Sequence, residues 1–319
     1  MKRLYLLSAL MLIMAVAMLP HNMKAQAPVW DGTWETWTQG SGTQAGPYLI
    51  ETPQHLAWLA RQVNNGVSTY NGVYFRLTND LDLNSEEWTP IGNSTSNRFK
   101  GIFDGDNHFI DNIHILSYTQ NGTDINPYGG LFGVIDNATI MNIGTNTNMV
   151  DNVSCSCTPI YAGGIAAYAY GGTNHIINCY QTGNISYLAT FSSSHRGVRG
   201  GIVGFVSGET TLSNCRNYGQ VRDYYGFAEY EGCYIGGLIG LVNATVTISD
   251  CSNYGVVYGK SWTHSYAGGL IGHCQDGTTT IINSHNEGNV TGLFLWWFDW
   301  TFFKYYKHQQ LLQRRRACG

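Results

Sequence analysis

Short apolar runs separated by glycine and asparagine recur along the chain at a nearly constant interval. Each run begins with two glycines and an aliphatic residue, and the first glycines of consecutive copies are 34, 37, 36 and 32 residues apart. Five copies in phase indicate a repeat protein. The copies begin at Gly129-Gly130-Leu131, Gly163-Gly164-Ile165, Gly200-Gly201-Ile202, Gly236-Gly237-Leu238 and Gly268-Gly269-Leu270.

Each copy holds a second element after the Gly-Gly run, and the last four copies also hold a third. In the second element, an aliphatic residue stands three places before a fixed position, here called the slot, and an Asn or Asp stands directly before the slot. In the third element, a glycine stands two places before Ile or Val. Because Asn and Asp tolerate left-handed backbone, a bend there lets the residues on both sides of it face inward. The slot is filled by Ile143, Cys179, Cys215, Cys251 and Ser284.

The period within each run is that of a β-strand. Residues 245–248 read Thr-Val-Thr-Ile, an alternation of polar and apolar positions. One repeat cannot bury its own apolar side, so neighbouring repeats must stack as coils ~4.8 Å apart. The sequence therefore predicts an all-β fold, a right-handed parallel β-helix-like solenoid with three-strand repeats of about 34 residues.

Residues 1–27 have the composition of a signal peptide. Lys2-Arg3 precede an apolar run from Leu4 to Leu19, and Ala25-Gln26-Ala27 offers cleavage after Ala25 or after Ala27. The apolar run is shorter than the ~20 residues that span a bilayer, which favours export over a membrane anchor.

Residues 28–128 are predicted to form an N-terminal β-helix and capping module, and residues 129–292 the repeat solenoid. Within the module, Thr52-Pro53 has the form of a helix N-cap followed by proline at the first helical position. The apolar positions Leu56, Leu59, Ala60 and Val63 share one face, and Asn65-Gly66 ends the pattern. We expect this short helix to cover the open end of the solenoid, where strand edges are otherwise unpaired.

Three of the eight cysteines occupy the slot. Because the first copy places Ile143 there, the slot faces the interior, where a free thiol behaves as a small hydrophobe. Disulfides are the alternative in an exported chain, and the shared slot favours a ladder of buried thiols at Cys179, Cys215 and Cys251. Cys155-Ser156-Cys157 has no second pair at zinc-finger spacing, so no metal is predicted.

The charge between residues 28 and 292 is acidic. Nine Lys and Arg stand against 20 Asp and Glu, a difference of 11. Nucleic acid and anionic lipid both require a basic surface, so neither is an expected partner. No segment in this range is apolar enough to predict a membrane span in the mature body. The 39 glycines and 21 tyrosines suit short strands joined by tight turns rather than helices or disorder.

Residues 293–319 do not follow the repeat. The next Gly-Gly is due near 301–305, where Thr-Phe-Phe-Lys-Tyr stands instead, and neither Gly nor Asn occurs from 293 to 318. We interpret this stretch as an aberrant tail produced by a frame shift or truncation, with a hydrophobic surface anchor as the alternative.

Gly-Gly-Leu-Ile-Gly at 236–240 and 268–272, with Asp-Cys-Ser-Asn-Tyr-Gly-Val-Val at 250–257, resembles the GLUG-motif repeats of bacterial surface and secreted proteins. The segments at 77–83, 88–92 and 99–105 are similar to the module that commonly precedes those repeats. The resemblance covers about residues 47–292. It implies that the protein has a parallel β-helix-like fold and is exported by a Gram-negative bacterium. It implies little chemistry, because family members are mostly uncharacterised, adhesin-like or appendages of larger enzymes.

No motif in the chain predicts catalysis. The zinc-peptidase signature H-E-x-x-H and the serine elbow G-x-S-x-G are both missing from the sequence. Asp223, Glu229 and Glu231 are the acids considered for glycosidic acid–base chemistry. The pairs Asp80/Asp82 and Asp104/Asp106 could suggest paired carboxylates or a calcium site, but Asp-Gly turns and acids at strand ends explain them better. No cofactor is expected.

The candidate ligand site is a variable corner between the third element and the next Gly-Gly. Stacked coils bring the aromatic residues of this corner to one edge, where exposed rings suit sugar faces or a protein partner. Packing of the rings on the solenoid is the alternative. The predicted site residues are Tyr224, Tyr225, Tyr230, Trp262 and His264.

Two functions are compatible with these features. The leading hypothesis is a non-catalytic exported surface or secreted binding protein, adhesin-like, whose partner is a glycan or a host or bacterial surface protein. The alternative is a carbohydrate-active β-helix enzyme, or the non-catalytic part of a larger exported enzyme. Basic residues are too sparse for a lyase that acts on acidic polysaccharides.

Overall fold

The computed structural model describes residues 27–120, 123–125, 127–152, 160–187, 197–226, 233–261, 265–292, 294–295 and 316–317. These residues form one helix and 32 short strands, α1 and β1 to β32 in chain order. Strands of successive coils pair in parallel and build four sheets among the described residues, which confirms the predicted parallel β-solenoid.

Two of the sheets carry the second and third elements of each repeat. Sheet 1 consists of β1 Tyr48–Ile50, β2 Tyr74–Leu77, β4 Ile102–Asp104, β9 Thr139–Met141, β13 Thr173–Ile177, β18 Glu209–Ser213, β23 Val246–Ser249, β28 Thr278–Ile282 and β32 Arg316–Ala317. Sheet 2 consists of β3 Leu81–Asp82, β5 Phe109–Gln120, β6 Thr123–Ile125, β10 Gly144–Asn152, β14 Tyr180–Gln181, β15 Ile185–Tyr187, β19 Arg216–Asn217, β20 Val221–Gly226, β24 Ser252–Asn253, β25 Val257–Ser261, β29 His285–Asn286 and β30 Val290–Thr291.

The other two sheets flank the Gly-Gly bends. Sheet 3 consists of β7 Tyr128–Gly129, β11 Ile160–Gly163, β16 Gly197–Gly200, β21 Cys233–Gly236, β26 Ser265–Gly268 and β31 Phe294–Leu295. Sheet 4 consists of β8 Phe132–Ile135, β12 Ala166–Ala169, β17 Val203–Val206, β22 Ile239–Asn243 and β27 Ile271–Asp276.

The Gly-Gly pair divides the first apolar run of each coil into two strands, where the sequence predicted one. At Gly236-Gly237 the chain turns from β21 into β22. A side chain on Gly236 would collide with the carbonyl oxygen of Ile239, and one on Gly237 with the carbonyl oxygen of Gly269 in the next coil. Only a residue without Cβ permits that approach. Leu238, directly after the pair, is fully buried.

The slot faces the interior, as predicted. The residue before it is in the left-handed region in every copy, so the chain bends there and the residues on both sides turn inward. The φ angles are 54° at Asn142, 53° at Asn178, 53° at Asn214, 55° at Asp250 and 47° at Asn283.

The slot cysteines form the predicted ladder of buried free thiols. The Cys215 amide donates a hydrogen bond to the Cys251 sulfur at 3.3 Å, which places adjacent slots in direct contact. Burial raises the pKa of the Cys215 thiol, and the hydrogen bond with Cys215 raises the pKa of Cys251. Both thiols are therefore protonated and unreactive at neutral pH. Cys155 and Cys157 lie outside the described residues.

A second internal ladder is made of amides. Asn217 donates to the Asn253 side-chain oxygen at 2.8 Å, and Asn253 donates to that of Asn286 at 2.7 Å. Each amide also donates to the carbonyl of the glycine two residues later, as Asn253 does to Gly255 at 2.9 Å. Asn217 and Asn253 are completely buried, so these bonds satisfy groups that water cannot reach.

Helix α1 spans Pro53–Asn64 and has the predicted caps. Thr52 Oγ1 accepts from the His55 amide at 3.3 Å, and Asn65 ends the helix. The apolar face of α1 joins the solenoid core beside β1, the strand at one end of sheet 1. The helix thus lies where the sequence predicted a cap.

Part of the segment interpreted as an aberrant tail pairs with the solenoid. Phe294–Leu295 lies parallel to β26, opposite Tyr266 and Ala267, and Arg316–Ala317 lies antiparallel to β28. Two residues beyond 292 therefore extend sheet 3, although they carry no repeat motif.

Candidate functional site

A row of aromatic rings follows the solenoid axis on the outside of sheet 2. We call it the aromatic row. Consecutive ring centroids are 5.8, 6.4, 5.1 and 6.1 Å apart. Tyr218 and Tyr254 stack almost in parallel, with an interplanar angle of 6°, and are 49% and 39% exposed. The row consists of Phe109, Tyr180, Tyr218, Tyr254 and His285.

The row arises from positions just after the slot. Tyr180 and His285 are the first residues after it, and Tyr218 and Tyr254 are the third. These positions lie on short strands or directly beyond them, so the rings stack from coil to coil on the outer face. Gly144, the strand partner of Tyr180, provides the space for the Tyr180 ring, because a Cβ there would collide with it.

A row of amides runs beside the rings, formed by the left-handed residues that precede each slot. Asn142, Asn178 and Asn214 are linked side chain to side chain, by bonds of 3.0 Å from Asn178 to Asn142 and 2.9 Å from Asn214 to Asn178. Asp250 interrupts the series, since a carboxylate accepts but does not donate. No described residue donates to the Asn214 side-chain oxygen, and Asp250 accepts instead from Asn283 at 3.3 Å.

A pocket opens where the two rows meet, between Tyr180 and Tyr218. The rings of these two tyrosines are the most widely spaced neighbours in the aromatic row and stand edge-on to each other. Its cavity volume is about 240 Å³. The lining residues are Asn178, Cys179, Tyr180, Asn214, Arg216 and Tyr218.

Half-exposed rings beside amides can hold a ligand that has both apolar and hydroxylated surfaces. The ring faces offer apolar contact, and the phenol hydroxyls of Tyr218 and Tyr254 make no hydrogen bond to any described residue, so they are available to a ligand. Because contiguous exposed aromatic patches can mark interaction sites, the aromatic row is the candidate site.

The structure does not test the site residues predicted from sequence. The backbones of Tyr224 and Tyr225 lie in β20, whereas their side chains, together with Tyr230, Trp262 and His264, lie outside the described residues. The predicted site stays a prediction. The aromatic row could not be recognised from the sequence, because the residues that form it do not share one repeat position.

Asp223, predicted as a candidate acid, is unsuited to acid–base catalysis because it is buried in an ion pair. Its carboxylate lies 3.3 Å from the Arg199 guanidinium, and both side chains are at most 2% exposed. Arg199 occupies the interior position held by Ala162 and Ile235 in the neighbouring coils. Cys233 lies beside the pair, and burial, followed by the charge of Asp223, raises the pKa of its thiol. Glu229 and Glu231 lie outside the described residues.

Among the residues that the structure describes, no cluster of three or more His, Cys, Asp and Glu side chains could bind a metal ion. Asp82 and Asp104 instead accept hydrogen bonds from backbone amides two residues later, at 2.7 and 3.0 Å, in turns. In the same part of the chain, no helix has the length and apolarity needed to cross a membrane.

No protein-family model matches the chain. A protein of Evansella cellulosilytica described as a candidate Gly-rich membrane protein is 33% identical over 146 residues, 43% of this chain and 15% of that protein. Halomucin of Haloquadratum walsbyi is 33% identical over 128 residues, 36% of this chain and 1% of halomucin. The chain thus spans only a small part of each of these relatives.

The fold has a solved counterpart. A Bacteroides ovatus protein, whose crystal structure was described as that of a candidate immunoglobulin A1 protease, superposes with a TM-score of 0.56 and 22% identity. The similarity covers 81% of this chain and 74% of that one. At this identity the similarity supports a shared fold and nothing about activity.

Proposed function

We propose that this protein is a non-catalytic, exported surface or secreted binding protein, adhesin-like, that holds a glycan against the aromatic row. The observation that carries the proposal is the exposure of stacked Tyr218 and Tyr254 beside a row of amides. Sugar rings present an apolar face and a hydroxylated edge, and such a surface complements both.

The exported location has three supports. Residues 1–27 carry the pattern of a signal peptide. The relatives include a protein described as a Gly-rich membrane protein and a halomucin, names that suit the cell surface. The resemblance of residues 47–292 to GLUG-motif repeats supports the same location.

The non-catalytic role is supported by the state of Asp223, the one of the three candidate acids that the structure describes. Glycoside hydrolysis needs two carboxyl groups that reach the scissile bond. Asp223 is buried against Arg199 and cannot reach a sugar outside the solenoid. Binding therefore suits the described residues better than hydrolysis, the alternative drawn from sequence.

The test is a glycan array probed with the mature protein and with a Tyr218→Ala/Tyr254→Ala double variant. Each stacking ring contributes about 0.5–1.5 kcal/mol beyond its buried area. Together the two substitutions should weaken binding by about 5- to 150-fold. The change lies on the outer surface, so the thermal transition should move little.

Trp34 provides the matched control, since it is 51% exposed in the N-terminal module, away from the row. Trp34→Ala should leave the array pattern unchanged. A double variant that binds as tightly as the unmodified protein would exclude the aromatic row as the binding surface.

A further inference from the structure

Arg216 lies beside the aromatic row, in the same coil as Tyr218. In the register of sheet 2 it lies opposite Tyr180 in the preceding coil and opposite Ser252 in the following one. The rings of Tyr180 and Tyr218 are 6.4 Å apart, and Arg216 lines the pocket of about 240 Å³ that these two tyrosines also line. This pocket thus has a cation in its wall.

No described carboxylate neutralises the charge of Arg216. The arginines at 76, 98 and 199 lie within 4 Å of a carboxylate, at 3.8, 2.7 and 3.3 Å respectively. Among the described residues, no carboxylate lies that close to Arg216, which donates one long hydrogen bond of 3.5 Å from Nη1 to the Asn214 carbonyl. A guanidinium has five N–H donors and stays charged at any relevant pH, so most of its donors are available to a ligand.

An acceptor lies next to these donors. Asn214 lines the same pocket, and its side-chain oxygen receives no hydrogen bond from any described residue, because Asp250 in the next coil cannot donate. A ligand hydroxyl can donate to it. The pocket therefore combines an unpaired cation, an available acceptor and the ring of Tyr218.

We propose that this pocket selects a sugar unit that carries a carboxylate. The Arg216 fork matches the planar carboxylate in a bidentate arrangement, the Asn214 oxygen accepts from a ring hydroxyl, and Tyr218 contacts the apolar sugar face. This specificity rests on the proposed glycan-binding function of the aromatic row.

The overall charge restricts the ligand further. Between residues 28 and 292 acidic residues exceed basic ones by 11, so the body repels a chain that is charged at every unit. A glycan with an isolated or terminal acidic sugar meets that repulsion only once, while its carboxylate contacts Arg216 directly. The ligand class is therefore a mainly neutral glycan with a sialic or uronic acid unit, rather than a polyuronate.

The test compares matched glycans on the mature protein: oligosaccharides that end in a sialic or uronic acid, their neutral parents of the same length, and parents with a sulfate in place of the carboxylate. The unmodified protein should bind at least one carboxylated member about tenfold more tightly than its neutral parent, the effect of one charge-assisted interaction. Arg216→Gln should abolish that preference, so that a carboxylated glycan and its neutral parent bind with equal affinity. Arg216→Lys should retain only part of it, because an ammonium cannot bind bidentately.

Arg61→Gln is the matched control, since Arg61 is an exposed arginine beside Trp34, away from the row. It should keep the full preference. If neutral glycans bind and no carboxylated glycan is preferred, the acidic-sugar pocket is wrong and the glycan-binding row stands. If the sulfated parents bind as tightly as the carboxylated ones, planar carboxylate recognition is wrong. If no glycan binds, both proposals fail.

Discussion

Asn253 holds together three coils through one buried side chain. It donates to the Gly255 carbonyl in its own coil and to the Asn286 oxygen in the next, and accepts from Asn217 in the previous one at 2.8 Å. Replacing Asn253 by Ala removes these three bonds and also the bond that the Gly255 amide donates to the Asn253 oxygen at 3.2 Å. Asn253, Asn217 and Gly255 are buried, whereas Asn286 is partly exposed.

The magnitude follows from the number of groups left without a partner. The Asn217 amide loses one of its two acceptors, and the Asn286 oxygen and the Gly255 carbonyl each lose their side-chain donor. Each buried unsatisfied group costs about 1–3 kcal/mol. Even at the lower value the buried groups of Asn217 and Gly255 together should destabilise the fold by about 2 kcal/mol, a large fraction of the stability of a domain.

Urea unfolding monitored by circular dichroism measures this change. Asn253→Asp is a second test variant, because it keeps the shape of the side chain but removes both donated hydrogen bonds and buries a charge. It should destabilise the fold at least as much as Asn253→Ala. Asn243→Ala, at an exposed Asn in the same solenoid, is the control and should change stability by less than about 0.5 kcal/mol. A loss below about 1 kcal/mol for Asn253→Ala would refute the interior amide ladder.

Three further predictions concern the interior. Cys179, Cys215 and Cys251 should resist alkylation until the protein unfolds, and mass spectrometry showing any of them in a disulfide would contradict the thiol ladder. The pKa of Cys215 is raised above its ordinary value of 9.0, so the free energy of unfolding should fall as the pH rises beyond that value. In thermal melts, Cys215→Ala should make this fall in stability at alkaline pH smaller. Arg199→Met should lower the free energy of unfolding by about 3–5 kcal/mol, because it leaves the buried Asp223 carboxylate without its ion-pair partner. The double variant Arg199→Met/Asp223→Leu should recover most of that stability. If urea unfolding shows equal losses for the single and the double variant, the two residues are not coupled.

Much of the fold could be predicted because the same side chains return at the same place in every repeat. The inward-facing slot follows from the left-handed Asn or Asp that precedes it, and the helix N-cap follows from Thr52, so each depends on a residue type that favours one local conformation. The division of the first run at Gly236-Gly237 could not be predicted, because the direction of that bend depends on the carbonyl groups of the neighbouring coil.

The candidate site was harder to predict. Tyr218 and Tyr254 share one repeat position, but Tyr180 and His285 stand two residues closer to the slot, so only the stacking of coils brings the four rings into one row. For Arg199 a signal was present. It directly precedes a Gly-Gly pair, as Ala162 and Ile235 do, and that position is interior.

A crystal structure of the mature protein with a glycan that it binds is the most direct test of the aromatic row. We expect a sugar ring stacked on Tyr218 or Tyr254, with carbon atoms within ~4 Å of the phenol ring, and a polar group of the same glycan at Arg216 or Asn214. A glycan bound instead at the corner formed by residues 224–230 and 262–264, with Tyr218 and Tyr254 exposed to solvent, would contradict the assignment and favour the site predicted from sequence.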